Sequence, residues 1–310
     1  MPRVVGDCVA YSRYSSRVST NAARGPLRRI GLRLLGGVLG LIALAVLLIV
    51  IGAALCARTR PDPGARWGSQ YSVMPSATID GDRVVIRGVR NAHYAQGRAD
   101  DLRYETRTYD LNRLDSAWFI ISPFSRVAHT FVSFGFGPDE FVAVSVEARR
   151  PPESSGYSPL RGLYPQYGLM YVIADERDAV TLRARQWHDP VYIYPIRTTR
   201  ERMRKAFVSM VTRASALRDS PEWYNTITNN CTTNLVDHVN AISPGRLHWE
   251  LGLLLNADAD RVAYERGLIE TTLPLDAARR RFRSDDCARR VADDATFSRM
   301  VRVCTAESFK

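Results

Sequence analysis

The chain has 310 residues, five cysteines and a net charge of +11, from 43 Lys and Arg against 32 Asp and Glu. Seven arginines (Arg3, Arg13, Arg17, Arg24, Arg28, Arg29 and Arg33) and a single acid, Asp7, put more than half of that charge ahead of residue 34. The remainder, spread over some 250 residues, is an ordinary solvated surface with no recognition-helix pattern or basic aromatic stripe, which argues against nucleic acid as a partner.

Residues 34–57, LLGGVLGLIALAVLLIVIGAALCA, contain no charged side chain. As a helix rising about 1.5 Å per residue, this stretch reaches ~36 Å, enough to cross a hydrocarbon layer of ~30 Å with some tilt. The basic excess on its N-terminal side places residues 1–33 in the cytoplasm and exports residues 58–310. A cleaved signal peptide is the competing reading, but its apolar region spans only about 7–15 residues. A lipoprotein reading through Cys56 is weakened by Leu55, which is bulky for the position before a lipidated cysteine. This topology exports Cys231, Cys287 and Cys304. An oxidising compartment permits Cys287 and Cys304 to pair, leaving Cys231 as the odd thiol.

Beyond the span, residues 58–76 hold Pro61, Pro63, Gly64, Gly68 and Pro75 and read as a linker. A hairpin is predicted over 77–86, turning at Asp80-Gly81. A buried strand is expected over 111–122, ending in Trp118-Phe-Ile-Ile121. The strongest hairpin signal joins His129–Phe136 to Phe141–Glu147 through Gly137-Pro-Asp-Glu140. Further strands are predicted at Leu169–Ala174, Val180–Gln186 and Val191–Ile196. Helices follow. Thr198 and Glu201 have the spacing of a capping box, and Met203, Phe207, Met210, Val211, Ala214 and Leu217 form one apolar stripe. Ser220-Pro221 stops that helix. A second helix begins at Asn229 or Asn230, and a third runs from about Trp249 into the 260s. Strands first and helices later suggest one α+β domain.

The chemistry centres on Tyr224-Asn-Thr-Ile-Thr-Asn-Asn-Cys231-Thr-Thr-Asn-Leu235. Cys231 stands where a polar loop becomes a helix, and unpaired N–H groups at a helix N-terminus favour a thiolate. The bland alternative is a core cysteine sharing a face with Leu235, Val239 and Ile242. Asn230 can cap the helix and, with the Cys231 amide, face an oxyanion. His129 heads a predicted strand, and the four-residue turn brings Glu147 back beside it, where the carboxylate can orient the imidazole. Ser145 could do so more weakly. His93 and His188 fall in loops. His238 lies about 10.5 Å along the helix from Cys231, too far for direct contact. No spacing suits a zinc site, and no cofactor is expected.

His129-Thr-Phe, Ser145-Val-Glu147-Ala-Arg149 and the Tyr224 to Cys231 segment together resemble the periplasmic domain of the bacterial lipoprotein N-acyltransferase Lnb family, over residues 65–275. That resemblance implies a permuted papain-like (NlpC-type) α+β fold with an antiparallel sheet, in which the histidine precedes the cysteine. It implies Cys231 as nucleophile, His129 as base and Glu147 as third member, with Asn230 and Tyr224 at the oxyanion and substrate. It further implies a phospholipid acyl donor and a lipoprotein acceptor at the bacterial inner membrane. The expected organisation is a cytoplasmic tail (1–33), a transmembrane helix (34–57), a linker (58–76), a catalytic domain (77–275) and a C-terminal extension (276–310). Two other functions remain open at this point: a hydrolase of envelope amides or thioesters, and a tethered domain without catalysis.

Overall fold

The computed structural model describes residues 35–48, 51–52, 59–62, 64–95, 98–99, 101–124, 127–154, 156–247 and 258–309. The basic tail therefore lies outside the described residues. Of the apolar stretch, residues 35–48 and 51–52 are helical and expose Leu35, Leu39, Leu41, Ile42, Leu47 and Leu48. Residues 34, 49–50 and 53–57 lie outside the description, and among the described residues no helix is long and apolar enough to cross a membrane.

Beyond the apolar stretch, the described residues are built on one main sheet. Its strands are β1 (Ser76–Asp80), β2 (Arg83–Asn91), β5 (Arg103–Asp110), β6 (Ser116–Phe124), β7 (Val127–Gly135), β8 (Phe141–Arg149), β9 (Gly168–Asp175) and β10 (Tyr192–Pro195). The short β3 (Tyr94–Ala95) and β4 (Arg98–Ala99) pair only with each other. The spatial order is β1-β2-β9-β8-β7-β6-β10, with β5 also paired to β2. Expected hairpins form at β1–β2, where Gly81 takes the left-handed turn conformation (φ 56°), and at β7–β8. The sheet is not wholly antiparallel as expected: β2 meets β9 in parallel through Arg90 and Ala174, so it is mixed.

Helices cover both faces. The helices are α1 (Glu176–Thr181), α2 (Arg200–Asp219), α3 (Cys231–Ile242), α4 (Ala259–Glu265), α5 (Leu275–Phe282), α6 (Asp285–Arg290) and α7 (Phe297–Glu307). The predicted stripe of α2, from Met203 to Leu217, is buried against Phe134, Val144 and Tyr171 on one face of the sheet. Across the sheet, Ile120, Phe131 and Ala143 pack with Val180, Ala184, Cys287, Phe297 and Val301. The segment after residue 275 thus contributes to the core through Cys287, Ala288, Phe297 and Val301, and a Cys287–Cys304 disulfide joins α6 to α7.

Two local expectations are corrected. Val180–Gln186 is not a strand. It lies in α1 and a following π-helical turn, Leu182–Gln186, because the Asp175 side chain accepts the Arg177 N–H and caps the first turn. The cap of α2 is Thr199, accepting from the Arg202 N–H, one residue past the predicted Thr198. Glu201 reaches forward to Lys205 at 2.6 Å instead of closing a capping box. The predicted helix from Trp249 is described only as α4, since residues 248–257 lie outside the described residues.

Candidate active site

The site forms where two paired strands part. Strand β7 stays paired with β6 as far as Val127, and β8 stays paired with β9 as far as Arg149. Pairing between β7 and β8 ends at Phe131 and Ser145. Below that point His129 and Glu147 face each other across an opening instead of closing a ladder. Helix α3 packs on these two strands and brings its first residue, Cys231, to the opening.

Asn230 fixes that helix start. Its Oδ1 accepts from the Thr232 and Thr233 N–H groups at 2.9 and 3.0 Å, and the Thr233 hydroxyl accepts the Asn230 N–H in return. Its Nδ2 donates to the Thr226 carbonyl at 2.7 Å. The buried Asn230 amide is thus held from both ends, and one N–H of its NH2 group is left over from these contacts. Asn229 works behind it, donating to Glu222 and Trp223 and accepting from Asn234.

His129 Nε2 lies 2.7 Å from Ser145 Oγ and 3.1 Å from Glu147 Oε1. The Ser145 hydroxyl donates its one proton to Glu147 Oε1, at 2.9 Å. Ser145 can therefore only accept from the imidazole, and an ionised carboxylate can only accept as well. The network assigns the proton of neutral His129 to Nε2, leaving Nδ1 as the base. Arg183, donating to the same Glu147 oxygen at 3.1 Å and stacked 4.3 Å from the Trp187 ring, completes the set.

Charge follows from these contacts. Burial alone would push the Glu147 carboxyl up, but His129 and then Arg183 hold it well below the usual carboxylate range. Burial and Arg183 press the His129 pKa down. Glu147, with help from Cys231, outweighs them and raises it above its ordinary 6.5. Burial opposes the Cys231 thiolate, but the hydrogen bond and charge of His129, then a backbone hydrogen bond from Thr130, bring the thiol below its ordinary 9.0. Thiol and imidazole are thus electrostatic partners, each favouring the other's charged form.

A cleft of about 530 Å³ leads to the sulfur, with His129, Glu147, Cys231, Asn230 and Tyr224 all in its lining. The Tyr224 phenol stays protonated, raised by burial and by the neighbouring Cys231, and its ring meets that of Tyr157 edge-on at 5.7 Å. Residues 100–264 match the family described as the Lnb N-terminal periplasmic domain. The chain belongs to that family. The matched region covers more than half of the chain and includes the thiol, the imidazole and Glu147, and the family name marks it as an extracytoplasmic domain. No curated protein and no solved structure matches this chain.

All five residues expected in the Lnb-type site converge on one cleft, and Ser145 joins Glu147 instead of replacing it. His238 lies elsewhere, between Ser209 Oγ and Tyr171 Oη at 2.8 Å each. Among the described residues no cluster suits a metal ion. Sequence reasoning missed Arg183, hidden in a segment read as a strand, and Arg150, which directly follows the motif strand β8 and also lines the cleft.

Proposed function

We propose that this protein is a membrane-anchored cysteine acyltransferase that moves an acyl chain from a phospholipid to an amine, the amino-terminal cysteine of a lipoprotein. The observation carrying this reading is the Cys231–His129–Glu147 arrangement, with the imidazole proton on Nε2 and the thiol favoured as thiolate. In the first step His129 Nδ1 takes the Cys231 proton and the sulfur attacks an ester carbonyl carbon. The tetrahedral oxyanion is met by the Cys231 amide at the helix N-terminus, the second N–H of Asn230 and the protonated Tyr224 phenol. Collapse breaks the ester C–O bond, His129 returns its proton to the leaving glycerol oxygen, and a thioester remains on Cys231. In the second step an amine attacks the thioester and His129 accepts its proton. The C–S bond breaks, giving an amide and the free thiol.

The apolar residues 34–57 serve in this reading as a single-pass anchor in the bacterial inner membrane, with residues 1–33 cytoplasmic and the site held near its lipid donor. The exposed leucines and isoleucine of residues 35–48 support that role. Intact mass of the full chain after exposure to phospholipid vesicles tests the proposal. One acyl chain should add to the wild type and none to Cys231→Ala, and an added amine should discharge it as an amide. Equal labelling of both proteins would end the reading, and discharge only to water would make the protein a hydrolase.

A further inference from the structure

The cleft holds two guanidinium groups with different duties. Arg183 is spent on Glu147, and Asp189 lies on the same side, under the influence of Arg183 and His129. Among the described residues no ion pair commits Arg150 in that way. Its backbone carbonyl accepts the Gly68 N–H at 2.9 Å, and its Nη2 donates to the Tyr71 hydroxyl at 2.6 Å. Its guanidinium lies 5.2 Å from the Tyr71 ring centroid. At Gly156, whose φ is 137°, an added Cβ would come within 3.8 Å of Nη1. The carboxylate acting on Arg150 is Glu147, which is already paired to Arg183 and His129. Its neighbour Arg149 turns away, onto the Tyr71 and Ser72 carbonyls. Arg150 is therefore a half-buried cation, positioned by a tyrosine, in the wall of the cleft that contains the nucleophile.

A guanidinium held on one edge keeps its remaining N–H groups for a planar, two-point contact with an oxyanion. Resting on the acyl-transfer reading above, we propose that Arg150 binds the phosphodiester of the acyl donor. It would thereby hold a glycerophospholipid with its ester carbonyl at Cys231. Arg150 then selects phosphate-bearing lipids over neutral glycerides. It is a specificity residue and moves no proton.

The test is a titration of the full-length Cys231→Ala protein in maltoside detergent. Its ligands are dihexanoylphosphatidylglycerol, dihexanoylglycerol (the same esters without phosphate), inorganic phosphate and N-acetyl-alanyl-alanine. The expected result is at least tenfold tighter binding of the phospholipid than of the glyceride, narrowing to about twofold or less with Arg150→Gln. Arg150→Lys should fall between, and carries the same test if Arg150→Gln fails to fold. Equal binding of the two lipids, or equal weakening of both by the substitution, overturns the proposal. So does inorganic phosphate or the carboxylate peptide binding as tightly as the phospholipid. Mass labelling of the wild type separates this from the parent reading. A labelled Cys231 without phosphate preference removes only Arg150's role, whereas Arg150-dependent lipid binding without labelling removes only the transferase.

Discussion

His129 and Glu147 face each other at 3.1 Å across the point where β7 and β8 stop pairing. Had the ladder continued, each would be one more cross-strand neighbour on a sheet face. Because it stops, their side chains and the start of α3 share an opening, and the imidazole has a carboxylate at Nε2 and the Cys231 thiol as a further partner. The separation of two strands turns a hairpin into a candidate catalytic device.

Removing the Glu147 charge tests the tautomer argument. Glu147→Gln keeps the side-chain size but offers an N–H where an acceptor is needed, and it leaves Arg183 without its partner. Acylation of Cys231 should fall by about 10²-fold or more, while Ser145→Ala, which leaves the carboxylate in place, should cost roughly tenfold. Single-turnover acylation rates measure both. A larger loss from the serine change would mean that Ser145, and not Glu147, sets the imidazole.

The coupled thiol and imidazole fix a pH dependence. Cys231 is lowered and His129 raised, so the gap between thiol and imidazole narrows and each group's charged form supports the other's. Alkylation of Cys231 by iodoacetamide should remain fast below the ordinary thiol pKa of 9.0. In His129→Ala the inflection should move upward, since burial then acts on the thiol without its main opponent. An unchanged inflection would show that the helix start, and not the imidazole, lowers the thiol.

Asn230 has been given two duties, and substitutions separate them. Asn230→Ala removes the cap of α3 and should cost about 1–2 kcal/mol of stability, read from chemical denaturation. Asn230→Asp keeps an acceptor for the Thr232 and Thr233 N–H groups but loses the donor to Thr226 and toward any oxyanion. It should retain the cap and still slow acylation by about 10²-fold, the scale of a lost oxyanion donor. Full acylation by a stably folded Asn230→Asp would confine the residue to structure.

The hairpin carrying His129 and Glu147 was legible because its turn length and period-two pattern fix which residues come together. The helix start at Cys231 was legible from Asn230. Other parts were hidden by charge pairs between residues far apart in the sequence. Val-Thr-Leu-Arg-Ala-Arg-Gln alternates as a strand would. The buried acids ahead of it, Glu176 and Asp178, are satisfied by Arg302 and Arg90, and neither partner is near in the chain. Arg183 was lost with that segment. Strand β5, Arg-Tyr-Glu-Thr-Arg-Thr-Tyr-Asp, is half-exposed and mostly polar, so no apolar alternation marked it.

His238 gives a stability prediction independent of catalysis. It is buried on α3, and the Tyr171 hydroxyl donates to Asn234, so Nε2–H donates to Tyr171 while Nδ1 accepts from Ser209. Burial, then Arg213, push its pKa from 6.5 down to about 4. A depressed histidine means that the unfolded chain takes the proton more readily. The stabilisation is therefore complete above about pH 6.5 and is lost as pH falls toward 4, by up to roughly 3 kcal/mol. Denaturation midpoints measured from pH 7 to pH 4 should decline in the wild type. His238→Gln, which can keep one hydrogen bond without titrating, should start less stable and decline less over the same interval. Parallel slopes for the two proteins would assign the acid sensitivity to other groups.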